Sequence, residues 1–100
     1  MSEEISKQKK AFFRKLYLAG LIAEAPQSLA QLHQLTQMPR RTLQDTLKDM
    51  GDIGIQCRFV QQEGGRNNQG HFTLVDWGPI NADWVKEHIE EISAPFTPKT

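Results

Sequence analysis

Several features are scarce in this chain, and each absence excludes a class of protein. Cys57 is the single cysteine, so no internal disulfide can form, which is compatible with a reducing cytoplasm. The longest apolar run, from Leu16 to Ala23, is far shorter than the ~20 residues that span a bilayer. Residues 1–10 carry charges without an apolar segment, so no secretory signal is expected. These absences favour a cytoplasmic protein that does not enter a membrane.

The chain also lacks a net charge, since 12 Lys and Arg balance 12 Asp and Glu. Many DNA-binding domains are visibly basic, because their cations neutralise phosphates. The charges are nevertheless unevenly distributed: residues 1–24 carry +2, residues 25–51 carry +1, and residues 76–100 carry −3. A mildly basic first half and an acidic end permit DNA binding without requiring it.

Motifs of catalysis and metal binding are missing as well. The sequence has no Gly-rich phosphate loop after a strand, no nucleophile elbow and no recognisable carboxylate pair. Its histidines fall on three different predicted elements without ligand spacing, and Cys57 is expected in the core rather than at a metal or redox site. These histidines are His33, His71 and His88. We therefore expect no enzyme, no metal, no cofactor and no small-molecule ligand.

One hundred residues of ordinary globular composition predict a single domain, which we assign to residues 1–93. Residues 94–100 contain two prolines and no periodicity, so they are expected to form a flexible tail. The first helix is predicted over residues 3–24, with Ser2 as its N-cap and Pro26 as its stop. Its broad apolar face and a pair of adjacent phenylalanines indicate packing against later helices or against a second subunit.

Residues 28–50 predict two short helices separated by a tight break. Ser28 and Gln31 fit a capping box at the start of the first one. Pro39 disfavours helix at the preceding residue and suits the first turn of the second helix. Together with the first helix, these segments should form a three-helix core from Phe13, Leu16, Tyr17, Leu21, Leu29, Leu32, Leu35, Leu43, Leu47 and Met50.

Apolar and polar residues alternate from Ile53 to Gln61, which predicts a half-buried strand. Its inner face should carry Ile53, Ile55, Cys57 and Phe59, and its outer face Gln56 and Arg58. Residues 63–70 are almost all turn formers, and residues 71–77 return as the partner strand with Phe72 and Leu74 facing inward. A final helix is predicted over residues 81–92, capped by Asn81.

The pattern Ser-Leu-x-x-Leu-x-x-x-Thr-x-x-Pro-Arg-x-Thr-Leu-x-x-x-Leu-x-x-Met, which begins at Ser28, resembles the helix-turn-helix of winged-helix bacterial DNA-binding proteins. The strand, Gly- and Asn-rich loop, second strand and closing helix that follow are similar to that family too. The resemblance implies an α+β, mainly helical fold with a two-stranded β-wing and an additional C-terminal helix. It also implies a transcriptional regulator whose helix 39–50 enters the major groove of double-stranded DNA.

The core-facing leucines of helix 39–50 leave a polar set on its outside, and the resemblance places base-reading residues within that set. Arginine can bind guanine and glutamine can bind adenine in a bidentate way, whereas Lys48 is better placed for a phosphate. Asp45 departs from the basic residue of many relatives. The alternative is a merely solvated helix face. The predicted DNA contacts are Arg40, Arg41, Thr42, Gln44, Asp45 and Lys48, with Arg66, Asn67 and Asn68 in the wing.

A homodimer is expected, because a single small reading helix makes few contacts and two would read half-sites one DNA turn apart. Phe12, Trp84 and Ile89 are the candidate interface, with ordinary intrachain packing as the alternative. The basic residues of the first helix either add contacts to the DNA backbone or only keep that helix face soluble. They are Lys9, Lys10, Arg14 and Lys15.

The second function hypothesis is a protein–protein interaction module, which the zero net charge and Asp45 favour.

Overall fold

The computed structural model describes residues 6–61 and 70–96. Its helices are α1 (Lys7–Glu24), α2 (Leu29–Thr36), α3 (Arg40–Asp49), α4 (Ala82–Glu87) and α5 (Ile89–Ser93), with short 3-10 turns at Met50–Ile53 and Ala94–Phe96. Two antiparallel strands, β1 (Gln56–Gln61) and β2 (Gly70–Asp76), form a hairpin. The predicted α+β, mainly helical architecture is confirmed. No helix within these two ranges is both long and apolar enough to cross a membrane.

Helix α1 starts later than predicted. Ser6 is its N-cap and accepts a hydrogen bond from the backbone N–H of Lys9 at 3.0 Å, so the predicted start at residue 3 with Ser2 as cap is wrong. The helix ends at Glu24, and Ala25 is extended because Pro26 follows it. Packing of α3 on one part of α1 and of α4 and α5 on another makes α1 the centre of the core. Leu18, Ala19 and Ile22 are consequently buried too, which the single predicted face did not include.

The capping box at the start of α2 is confirmed: the hydroxyl of Ser28 accepts from Gln31 N–H at 3.1 Å, and the Gln31 side chain accepts from Ser28 N–H at 2.8 Å. Leu35 is 54% exposed, so its predicted place in the core is wrong. It lies about a quarter turn from the centre of the face formed by Leu29, Leu32 and Thr36. Thr36 takes the position at the core instead.

The turn between α2 and α3 is held by side chains of α2. The buried hydroxyl of Thr36 donates to Leu32 O at 2.7 Å and accepts from Met38 N–H at 3.2 Å. His33 Nδ1 lies 2.6 Å from Met38 O. Gln37 ends α2 in the left-handed region at φ 63°, where non-glycine residues are strained. Pro39 precedes α3 as its N-cap residue rather than lying in the first turn. These contacts determine where α3 leaves α2.

Strand β1 is shorter than predicted, because Ile53 belongs to a 3-10 turn and Gly54 is left-handed at φ 92°. Ile55 is buried as expected, but Phe59 is 46% exposed, so its predicted burial is wrong. Phe72 and Leu74 of β2 pack against the core, as predicted. Gln27 exchanges two backbone hydrogen bonds with Phe72, at 3.1 and 2.7 Å, which fastens the α1–α2 connection to the hairpin.

The predicted C-terminal helix is divided into α4 and α5 at His88, whereas its cap, Asn81, is confirmed by a 3.0 Å bond from Trp84 N–H. The expected flexible tail is wrong for residues 94–96, because Phe96 stacks on Tyr17 with ring centroids 6.0 Å apart. Residues 97–100 lie outside the described part of the chain. The segment from α4 to Phe96 thus packs along α1.

Candidate nucleic-acid interface

Helix α3 is anchored by its apolar side and leaves a polar face outside. Leu43 and Thr46 are buried, Met50 is buried just beyond the helix, and Leu47 is half-buried. Thr46 was missed because the apolar pattern counted only leucine and methionine. The predicted DNA contacts lie on the outer face: Arg40, Arg41, Gln44, Asp45 and Lys48 are exposed and Thr42 is half-buried.

The spacing of this outer set brings Arg41, Gln44 and Lys48 to neighbouring positions. Gln44 and Lys48 are one turn apart, and Arg41 and Lys48 are separated by two turns along the same side of α3. Asp45 lies one turn after Arg41, next to the same row. The structure therefore places a fork-shaped cation, an amide and an ammonium group side by side on one helix surface. We name this set of Arg40, Arg41, Thr42, Gln44, Asp45 and Lys48 the α3 face.

The cations of the α3 face are not neutralised by any carboxylate in the described part of the chain. Arg40, Arg41 and Lys48 have no carboxylate within 4 Å among residues 6–61 and 70–96. Asp45 and Asp49 lie on the same helix but make no ion pair with them. Three unpaired cations against one carboxylate on the α3 face give it a positive balance, despite the zero net charge of the chain. Such a surface suits a polyanion.

The first turn of α3 adds a further feature for anion binding. Pro39, in the N-cap position, has no side-chain oxygen and makes no capping hydrogen bond, and no acidic residue occupies the first turn. The first backbone N–H groups of a helix have no intrahelical partner. Together with Arg40 and Arg41, they present positive charge where α3 begins, the end of a helix at which phosphates bind most readily.

A crevice of about 320 Å³ separates α3 from the hairpin. Gln44 and Lys48 form its polar side, and the rings of Phe59 and Phe72, 5.0 Å apart, form its apolar side. Cys57 also lines it, with its Sγ 3.8 Å from Met50 Sδ. Burial raises the pKa of the Cys57 thiol, which keeps it protonated and inert at neutral pH. The hairpin is thus held directly beside the α3 face.

The three predicted wing contacts, Arg66, Asn67 and Asn68, lie outside the described residues. The hairpin that leads to them is described as far as the pair Gln61 and Gly70. Arg58 of β1 is exposed, and its guanidinium makes no hydrogen bond or ion pair within the described parts of the chain. Sequence reasoning assigned Arg58 only to the outer side of the strand. Because apolar and polar residues alternate along β1, the position of Arg58 could have predicted an exposed cation on the hairpin.

The remaining cations of α1 are partly engaged by aromatic rings of the same chain. Lys9 Nζ lies 5.3 Å from the centroid of the Phe13 ring, and the Arg14 guanidinium carbon lies 5.5 Å from that of Phe96. These contacts give Lys9 and Arg14 roles in covering apolar surface. Lys10 is exposed and Lys15 is half-buried.

Two of the three histidines, His33 and His88, contact backbone carbonyls at helix ends. His33 bonds the turn before α3, and His88 Nδ1 lies 2.7 Å from Trp84 O at the break between α4 and α5. Within the described ranges, no group of three or more His, Cys, Asp or Glu residues could hold a metal ion.

The three residues predicted for a dimer interface are not brought together. Trp84 is 41% exposed and stacks on His88, with ring centroids 4.1 Å apart. Ile89 lies beside Gly20 in the second half of α1. Phe12 is eight residues before Gly20, which is about 12 Å along a helix. Phe12 is thus separated from Ile89 along α1, and the expected interface of these three residues stays a prediction.

Comparison with known proteins agrees with this architecture. A family model described as winged helix-turn helix matches residues 7–96. The crystal structure of a DUF2131 family protein from Shewanella amazonensis SB2B is 47% identical in sequence and superposes with a TM-score of 0.84. The similarity covers 92% of this chain and 94% of that one. No match was found among curated proteins.

Proposed function

Because this chain belongs to the winged helix-turn-helix family, we propose that it is a sequence-specific DNA-binding protein that regulates transcription. The observation that carries the proposal is the α3 face, where three unpaired cations and a glutamine project from a helix whose other side is anchored in the core. An α-helix of this kind fits the major groove of B-DNA.

In the proposed complex, Arg41 and Gln44 read base edges. The guanidinium of Arg41 can donate two hydrogen bonds to guanine O6 and N7, and the amide of Gln44 can pair with adenine N6 and N7. Asp45 can accept from cytosine N4, which would make it a specificity residue rather than an affinity residue. Thr42 lies at the margin of the same face.

The remaining predicted contacts orient the protein on the DNA backbone. Arg40 and the free N–H groups of the first turn of α3 would bind one phosphate, and Lys48 would bind another at the rim of the crevice. Arg66, Asn67 and Asn68 would add a wing contact to the backbone or the minor groove. Backbone contacts supply affinity without sequence information.

We further propose that the protein acts as a homodimer, because two α3 faces related by a two-fold axis would double the contacts of one small domain. A bacterial cytoplasm is the compartment that we propose. The similarity to a Shewanella amazonensis protein supports a bacterial setting, and the single cysteine requires no oxidising compartment.

A second candidate function is a winged helix that binds another protein. Asp45 on the α3 face and the exposed carboxylates of α4 and α5 favour it, because both would repel DNA phosphates. The two candidates differ in their dependence on salt. DNA binding weakens steeply as salt rises, whereas an apolar protein interface responds weakly.

The experiment that tests DNA binding is a titration of labelled random-sequence duplex DNA followed by fluorescence anisotropy, from low to physiological salt. We expect binding with a steep negative salt dependence, and we expect Arg41→Ala to weaken it. At a preferred site selected from a random pool, Arg41→Ala should cost about 1–3 kcal/mol. Lys7→Ala, which removes an exposed cation from the first turn of α1, is the matched control and should have little effect.

A charge-conserving variant separates base reading from simple attraction. Arg41→Lys retains a cation but loses the planar fork, so it should keep most of the non-specific affinity and lose sequence preference. Preference would be measured by selecting bound duplexes from a random pool with each protein. Absence of any binding at low salt would contradict the proposed function and favour the protein–protein alternative.

A further inference from the structure

The second half of α1, the end of β2 and helix α4 enclose a surface groove that the DNA-binding proposal does not use. It consists of two adjoining cavities of about 300 and 460 Å³. Both are lined by Ala23, Glu24, Trp77 and Lys86, so they form one continuous depression. We name it the α1–α4 groove.

The floor of the groove is apolar and incompletely covered. Trp77 lies along both cavities and is only half-buried. Ile89 borders one cavity, and Val75, which is 59% exposed, borders the other. These side chains leave apolar surface at the floor of the groove that a partner would cover.

The rim carries one charge of each sign, and neither is used within the chain. Glu24 and Lys86 are both exposed, and neither forms an ion pair within 4 Å with any residue in the described ranges. Glu24 is the last residue of α1, where the helix dipole disfavours a carboxylate, and the last turn of α1 contains no basic residue to offset it. Glu24 therefore gains no stabilising charge contact from its own helix.

An apolar floor between one carboxylate and one ammonium group is complementary to itself. In a two-fold symmetric dimer, the same patch meets its own copy, so each charge faces the opposite charge of the other subunit. A partner of a single sign would leave either Glu24 or Lys86 without a counter-charge and would bring a like charge near the other. Charge complementarity thus selects a second copy of this chain as the occupant.

We propose that the α1–α4 groove is the homodimer interface, in which Glu24 pairs with the partner subunit's Lys86 and Lys86 pairs with the partner subunit's Glu24. This inference rests on the homodimer proposed above and specifies its surface. Ile89 is the one member of the earlier candidate set that lines the groove; Phe12 and Trp84 do not line it. The α3 face shares no residue with the groove and remains free for DNA.

The test uses charge reversal in the full chain, with oligomeric state measured by sedimentation velocity over a range of concentrations. Glu24→Lys alone and Lys86→Glu alone each place like charges opposite each other twice, so each should weaken the dimer about tenfold or more. An equimolar mixture of the two variants should dimerise again, because both cross-pairs are then opposite in sign. Glu91→Lys, at an exposed position outside the groove, is the matched control for the change in charge.

The mixture distinguishes an intermolecular pair from an intramolecular one. A pair within one chain would be reversed by the double variant Glu24→Lys with Lys86→Glu, but it could not be restored by mixing two chains with single changes. Recovery of the dimer in the mixture, with circular dichroism confirming that each variant is folded, would establish the proposed pairing.

Three results would overturn the inference in different ways. A wild-type dimer that neither reversal weakens would remove the groove as the interface but leave the homodimer in place. A wild-type protein that is monomeric at every concentration tested would remove the homodimer as well. Weakening by both reversals without recovery in the mixture would show that Glu24 and Lys86 do not cross-pair.

Discussion

The α3 face carries three cations, one carboxylate and short polar groups, whereas the α1–α4 groove places one carboxylate and one ammonium group around an apolar floor. Both surfaces have charges that make no ion pair with any residue of 6–61 or 70–96. An excess of one sign suits a ligand of the opposite sign and binds it in a salt-dependent way. A balanced pair suits a copy of itself. The net charge of zero gives no sign of either surface, whereas the distribution of unpaired charges distinguishes the two.

The largest effect is expected from removing the positive charge of the α3 face. The triple variant Arg40→Ala, Arg41→Ala and Lys48→Ala should lower DNA affinity on the order of 100-fold and reduce the slope of log affinity against log salt by about 2.7. The dimer should be unchanged, because none of these residues lines the groove. DNA titration and sedimentation of the same sample measure both.

A double variant of α1, Lys7→Ala with Lys10→Ala, is the comparison for this result. Both residues are exposed cations outside the α3 face. If each removed cation costs the same DNA affinity in the two variants, binding is diffuse, and the α3 face is then not a distinct DNA-binding surface.

The next effect concerns the support of the α3 face. Thr36→Val keeps the shape of the side chain but removes the hydroxyl that accepts from Met38 N–H, leaving a buried donor without its partner. We expect a loss of about 1–3 kcal/mol in the free energy of unfolding. Urea unfolding followed by circular dichroism gives the value.

Thr42→Val serves as the control, because Thr42 is half-buried and makes no hydrogen bond through its side chain within the described ranges. Equal destabilisation by the two substitutions would remove the hydroxyl of Thr36 as the reason for the geometry of the turn.

A smaller effect is expected at Cys57, which lines the crevice beside the α3 face. Burial raises its pKa, so alkylation by iodoacetamide should be slower than for an exposed thiol and should increase at a higher pH. Saturating duplex DNA should slow the reaction further, severalfold, by covering the crevice. Dimerisation should alter it little, since Cys57 does not itself line the groove. Mass spectrometry of the alkylated protein provides the rates.

The raised pKa of Cys57 also predicts the direction in which the stability of the fold changes with pH. A thiol whose pKa is higher in the folded state stabilises the fold fully below the unfolded pKa, near 8.5, and this contribution is lost as pH rises from there towards the folded pKa. Cys57→Ala should remove that part of the alkaline decline. An identical decline in wild type and variant would assign it to other groups, such as Tyr17, whose pKa burial also raises.

The smallest effect is expected at Gln37, which is left-handed at φ 63°. Gln37→Gly should relieve strain and stabilise the fold by up to about 1 kcal/mol, offset in part by the greater freedom of the unfolded chain. Thermal unfolding measures the difference. Gln34→Gly, within α2, is the opposite control and should destabilise by about 1 kcal/mol. A loss of stability at Gln37 would show that the lost side-chain bond to Gln34 O, at 2.9 Å, and the greater freedom of the unfolded chain together outweigh the strain.

Local signals in the sequence were sufficient for much of the fold. The capping box of Ser28 and Gln31, the cap at Asn81 and the break at Pro39 each depend on a few adjacent residues, and all appear in the structure. The polar set of α3 was likewise predictable, because helical spacing alone separates it from Leu43. What was missed depends on neighbours that are distant in the chain. Leu18 and Ile22 are buried because other helices cover a second side of α1.

The sequence by itself determined the order of helices and strands, the starts of α2 and α4 and the composition of the α3 face, because these follow from backbone preferences and from periodicity over a few turns. Only the tertiary structure decided that Leu35 is exposed, that Phe96 closes over Tyr17, and that Glu24 and Lys86 share one groove. Such relations depend on how separate helices pack. Packing balances burial over the whole chain at once, and no local pattern encodes it.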